Sequence, residues 1–147
     1  MKIKALVAVR SGSTRVLNKN MRPFAGKNLL QIKIEQLLRI PELDGVVINS
    51  NDDEMLKLAA SFGCETVKRD QYYASNSVSM SEVYRNMAEQ MDTDVIVYAN
   101  ATNPLLEDLT ISKAITEFVE NDGRYDSLNS AHLIKEFLFK ENLLIMI

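Results

Sequence analysis

Arg10, Arg15 and Lys19 lie close together in VAVRSGSTRVLNKN, Val7 to Asn20, where a small apolar run gives way to one glycine, three hydroxyls and two asparagines. A loop leaving a strand can aim successive backbone N–H groups at an anion. Gly12 permits a backbone geometry or close approach that a side chain would obstruct. Ser11, Ser13 and Thr14 add donors. The fixed fork of arginine suits bidentate contact with phosphate oxygens, and lysine acts as a point charge. A polyphosphate is a sensible guest for such a loop. The two familiar phosphate motifs are absent: no Gly-x4-Gly-Lys-Ser/Thr run and no triply spaced glycine fingerprint occurs. The residues alone leave open a second reading, a solvated loop whose cations balance acids elsewhere.

The surrounding pattern supplies the elements that must position this loop. IKALVAV reads as a buried strand, and LLQIKIEQLLRI repeats apolar residues at helical spacing until Pro41. VVINS reads as a second strand. NDDEMLKLAASFG follows as a helix, with Asn51 the expected N-cap and Gly63 the expected terminator. CETVK is a third strand, and Ser79 or Ser81 caps a helix around EVYRNMAEQM. DVIVYA is a fourth strand, LEDLTISKAITEFVEND a helix closed by Gly123, and YDSLNSAHLI the expected start of a fifth strand. Alternation of this kind predicts βαβ units, right-handed crossovers and a mainly parallel sheet. Ligands of such sheets bind beyond the carboxyl ends of the strands. That rule singles out the opening loop, NSNDD and NATNPLL.

The chain has 147 residues, which suits one domain over 1–147, and its 46% hydrophobic and 25% charged residues are ordinary for a globular protein. A net charge of −3 gives no global field for nucleic acid or an anionic membrane, so neither is an expected partner. One cysteine, Cys64, excludes an internal disulfide, and with a single histidine, His132, argues against a Cys–His dyad or a His/Cys metal cluster. The start shows no cleavage-site pattern, and no stretch is long enough to span a bilayer, so the expected location is cytoplasmic. The apolar ending LLIMI predicts either truncation within a larger domain or packing in an oligomer, and truncation is the expectation.

VRSGSTRVLNKN followed by RPFAGKNLL resembles the opening signature of cytidylyltransferases that activate acidic sugars, the acylneuraminate type and its 3-deoxy-manno-octulosonate relatives. VVINSNDDEMLKLAASFGCETVKR, YYASNSVSMSEV and NATNPLL resemble further segments of that family, in the same order. The resemblance implies an α/β, Rossmann-like three-layer nucleotide-diphospho-sugar transferase fold, here C-terminally truncated. It implies an enzyme that moves CMP from CTP to a sugar acid and releases pyrophosphate, with Mg²⁺ as cofactor and a homodimer as a further expectation. Carried over by position, Arg10 and Lys19 are the catalytic pair on the triphosphate; Gly12, Ser13, Arg15 and Asn20 complete the nucleotide loop. Asn100 falls at a base-contacting glutamine, with Thr102 in the same loop.

The chain departs from that pattern at Leu17, where a proline is usual, at Asn100, one methylene shorter than glutamine, and at Leu106, where an arginine is usual. The resemblance places the family's metal-binding aspartates in a later segment, so no residue here is assigned to metal. Asp52 and Asp53 can reach the ligand edge or cap a helix; Asp94 reads as structural. Tyr72 and Tyr73 fit a gap beside the sheet or cover a ligand, and Met87 and Met91 read as core. The alternatives are a catalytically silent nucleotide-binding or scaffold fragment, and a guanylyl- or uridylyl-transferring relative.

Overall fold

The computed structural model describes residues 1–12, 16–75, 77–121, 123–131, 138–140 and 143–145. Four parallel strands, β1 (Ile3–Ala8), β2 (Gly45–Ser50), β3 (Glu65–Lys68) and β4 (Val95–Tyr98), form one sheet in the order β3-β2-β1-β4. The helices are α1 (Leu29–Leu37), α2 (Asp53–Ser61), a single turn α3 (Gln71–Ala74), α4 (Met80–Glu89) and α5 (Asp108–Glu120). A short antiparallel pair, β5 (Leu138–Lys140) and β6 (Leu143–Ile145), follows.

Strand periodicity distributes β1 between two cores. Ile3, Ala5, Val7 and Val9 face one side with Leu30, Ile34 and Leu37 of α1, Met55 and Ala59 of α2, and Ile111 and Ile115 of α5. Leu6 faces the other, with Val47 and with Val83 and Met87 of α4; Met91 packs against that cluster. A central strand buried on both faces reads as a continuous apolar run, which is why IKALVAV lacks alternation. The result is the expected three-layer α/β arrangement, with the carboxyl ends of the parallel strands on one edge.

Three local expectations are revised. The α2 N-cap is Asp52, not Asn51: its Oδ1 accepts from the Glu54 and Met55 amides at 2.9 and 3.1 Å. Asn51 is diverted to the opening loop by its bonds to Ser11. Helix α1 ends at Leu37 rather than running to Pro41, and 125–131 form no strand, the rest of YDSLNSAHLI lying outside the described residues; among the described residues the next strand starts at Leu138 and is antiparallel. Of the two serine caps, Ser79 is the one used. Gly63 and Gly123 adopt φ of +77° and +74° at the ends of α2 and α5, as their positions require. Cys64 precedes β3, and burial pushes its thiol pKa up, which suits a structural thiol. His132 lies outside the described residues.

The Asp52 cap yields a test. Asp52→Ala should cost about 1 kcal/mol of unfolding free energy, read as a lower urea midpoint at unchanged slope. A loss of several kcal/mol would mean that Asp52 does more than cap α2.

Candidate functional site

The loop after β1 is fixed at its start by its neighbours. Val9 donates its N–H to the Asn49 carbonyl at 3.1 Å, extending the sheet past the strand. Asn51 then clamps Ser11 from both sides: the Ser11 amide donates to Asn51 Oδ1 at 3.1 Å, and Asn51 Nδ2 donates to Ser11 Oγ at 3.0 Å. Gly12 follows at φ +82°, in the left-handed region that favours glycine, with open space where a Cβ would be. The need for glycine here is conformational and not steric. Further on, the Asn18 carbonyl accepts from the Met21 and Arg22 amides, and the Asn20 carbonyl accepts from the Leu30 amide, tying the loop to α1.

These constraints border a cavity of about 360 Å³ lined by Arg10, Gly12, Val16, Lys19, Asn20, Asn100, Ala101 and Thr102 over a floor of Ala8 and Val9. Six of the eight residues expected from the sequence therefore share one cavity: Arg10, Gly12, Lys19, Asn20, Asn100 and Thr102. Ser13 and Arg15 lie outside the described residues. The described lining carries two cations and no carboxylate, an environment suited to an anion.

A second cavity, of about 330 Å³, shares Ala8 and Arg10 with the first and continues on the α4 side of the sheet. Its walls include Tyr73, Val78, Val83, Met87 and Tyr98, and Arg69 joins Arg10 as its charged members. Arg69 was not singled out by sequence, although it follows β3 directly and so obeys the same carboxyl-end rule as the other loops. It is 6% exposed. Its Nε donates to Asn49 Oδ1 at 2.6 Å and its Nη2 to the Asn49 carbonyl at 3.1 Å. Burial lowers its pKa, with the positive charge of Arg10 acting in the same direction and Tyr98 opposing. Arg10 and Arg69 both line this second cavity, so positive charge extends from the first cavity into it. Arg10 is held at that junction by an Nη1 bond to the Ala74 carbonyl at 2.6 Å.

The remaining sequence candidates separate from the cavities. Asp53 pairs with Lys68 at 2.5 Å, which lowers its pKa, and Asp94 accepts from the Lys2 amide at 2.6 Å. Tyr72 donates to Glu82 at 3.2 Å on the surface, whereas Tyr73 walls the second cavity. Leu17 is exposed, and Leu106 packs on the core. Among the described residues no three His, Cys, Asp or Glu side chains come together, and neither cavity is lined by one. These residues do not supply a magnesium site. No helix among the described residues is long and apolar enough to cross a membrane.

Comparison with known proteins bears on the family and the fold. A family model described as cytidylyltransferase matches residues 4–147. The pseudaminic acid cytidylyltransferase of Campylobacter jejuni subsp. jejuni serotype O:2 is 29% identical over 131 residues, covering 85% of this chain and 56% of the relative. The 3-deoxy-manno-octulosonate cytidylyltransferase of Trichlorobacter lovleyi is 28% identical over 123 residues, covering 84% and 47%. A solved cytidylyltransferase from Leptospira borgpetersenii serovar Hardjo-bovis superposes with a TM-score of 0.70 at 25% identity, covering 84% of this chain and 51% of that one. The chain spans about half the length of the curated relatives it matches. With a match over nearly its whole length, the chain belongs to the cytidylyltransferase family.

Proposed function

We propose that this chain forms the nucleotide-binding part of an enzyme that transfers CMP from CTP to an acidic sugar and releases pyrophosphate. The observation that carries the reading is the convergence of Arg10, Gly12, Lys19, Asn20, Asn100 and Thr102 on one cavity at the carboxyl edge of a parallel sheet. A nucleoside triphosphate has one densely charged end and one flat, mostly uncharged end. The cation-lined cavity takes the phosphates, with Arg10 and Lys19 offsetting their charge; Asn100 lies in this cavity and not in the adjoining one, so with Thr102 it meets the phosphate–ribose end rather than the base that the resemblance implied. The adjoining cavity, with Tyr73, Tyr98 and the buried donor Arg69, takes the nucleoside end.

In the transfer, a sugar hydroxyl oxygen bonds to the α-phosphorus as the bond to the bridging oxygen breaks; pyrophosphate departs and the hydroxyl proton passes to solvent water. Reactions of this type draw their acceleration mostly from alignment and from stabilising charge on the transferring group. The described cavity residues suit that division of labour, since they offer cations and amides and no general base. Magnesium is the family's expected cofactor, and its protein ligands are to be sought outside the described residues. We assign the acceptor to the acylneuraminate type on the order of the four loop motifs. Trials with N-acetylneuraminate, pseudaminic acid and 3-deoxy-manno-octulosonate separate that choice from its neighbours. The single buried thiol suits a reducing cytoplasmic setting.

A second reading, nucleotide binding without turnover, is favoured by the absence of a carboxylate cluster among the described residues. Calorimetry with the four nucleoside triphosphates, followed by pyrophosphate release with a sugar acid, tests both. CTP binding at least about tenfold tighter than ATP, GTP or UTP, a gap of about 1.4 kcal/mol, is the expected result. Equal affinity for all four contradicts the choice of base, and binding without pyrophosphate release favours the second reading.

A further inference from the structure

Lys33 sits on α1 with only 1% of its surface exposed, among the apolar residues of the larger core. Among the described residues no carboxylate forms an ion pair with it. Its Nζ donates to Gln36 Oε1 at 2.5 Å and to the Asn103 carbonyl at 2.9 Å. Burial lowers its pKa, with Asp108 acting in the opposite direction. A buried ammonium is costly to keep, and an apolar residue would satisfy the packing of α1. The polar network around Lys33 leads to the cavity wall. The Asn103 amide donates back to the Asn100 carbonyl at 3.3 Å, closing a turn, and that turn carries Asn100, Ala101 and Thr102 into the first cavity. Gln36 Nε2 holds the Leu106 carbonyl and donates to Asp108 Oδ1 at 3.1 Å. Arg39 grips the same carboxylate at 2.8 Å through Nε. Helix α1 therefore holds this loop at Asn103, Leu106 and Asp108.

We propose that Lys33 is a positioning residue: by holding the Asn103 carbonyl from beneath, it sets the turn that presents Asn100 and Thr102 to the bound nucleotide. The assignment rests on the nucleotide reading above. A charge-assisted bond from a long flexible stem reaches a carbonyl that a neutral core residue cannot restrain. Lys33 does not touch the ligand; its effect passes through Asn100.

The test has one arm without ligand and one with it. In ligand-free protein, Lys33→Met should accelerate amide exchange across 100–103 by about tenfold or more, while exchange in β1 and β2 stays unchanged. With CTP, Lys33→Met and Asn100→Ala should each weaken binding by about tenfold, and the double variant should be no weaker than either single one. A side chain that only stabilises the core gives additive losses or uniformly faster exchange, and either result overturns the proposal. So does unchanged exchange in 100–103. If Lys33→Met does not fold, Lys33→Gln, whose uncharged donor ends one bond short of the lysine Nζ, takes its place in the same cycle with the same expected losses. If the wild-type chain binds no CTP, the nucleotide reading fails, while the exchange arm still decides whether Lys33 sets the turn.

Discussion

Arg10→Ala should lower the rate of CMP transfer by on the order of 10²–10³-fold and weaken CTP binding, with little change in melting temperature. The size of the effect follows from position. Arg10 lines both cavities, so its guanidinium lies where charge and nucleoside meet. Its bond to the Ala74 carbonyl aims the side chain at the junction of the two cavities. Arg10→Lys should recover only part of the loss, since an ammonium cannot reproduce a forked contact. Steady-state kinetics and calorimetry on the three proteins read the outcome directly. An alanine variant with unimpaired CTP affinity and turnover would remove Arg10 from the site.

Arg69→Met should damage both stability and binding. The Asn49 side chain accepts from Arg69 in the interior, and a thioether offers it no donor, whereas the Asn49 carbonyl keeps the Val9 amide. Stranding a buried acceptor of this kind costs about 1–3 kcal/mol. For a chain of this size that corresponds to a melting temperature lower by roughly 2–12 °C. The second effect is separable from the first. Where the folded fraction remains high, CTP affinity should still fall by tenfold or more (about 1.4 kcal/mol) because the nucleoside end loses its buried donor. Thermal denaturation alongside calorimetry resolves the two. A variant that is destabilised yet binds CTP normally would confine Arg69 to a structural role.

The contrast between these arginines shows what the sequence made legible. Arg10 stands in a run of cations, hydroxyls and a glycine, a local signal that needs no tertiary information. The layers of the fold were legible for a similar reason: IKALVAV, VVINS and DVIVYA are short apolar runs separated by amphipathic stretches. Arg69 carries no such local signal. Its burial depends on β3 lying beside β2, with Asn49 within reach, and on α4 covering the α4-side face. Lys33 is harder still to read, because within LLQIKIEQLLRI it resembles a solvent-facing lysine on an amphipathic helix. Only the partner carbonyl at Asn103, distant in sequence, reveals why it is buried. The Asn51 cap was misassigned for a related reason: Asn51 and Asp52 both suit an N-cap, and the choice turns on Ser11, which competes for Asn51 from another loop.

The most direct measurement is a crystal of this chain soaked with CDP, a non-reacting analogue of CTP that lacks the γ-phosphate. The account predicts phosphate density against Gly12 and between Arg10 and Lys19, with the cytosine directed toward Arg69. Density for the nucleotide elsewhere on the surface, or a fully occupied ligand whose phosphates avoid Arg10 and Lys19, would contradict it.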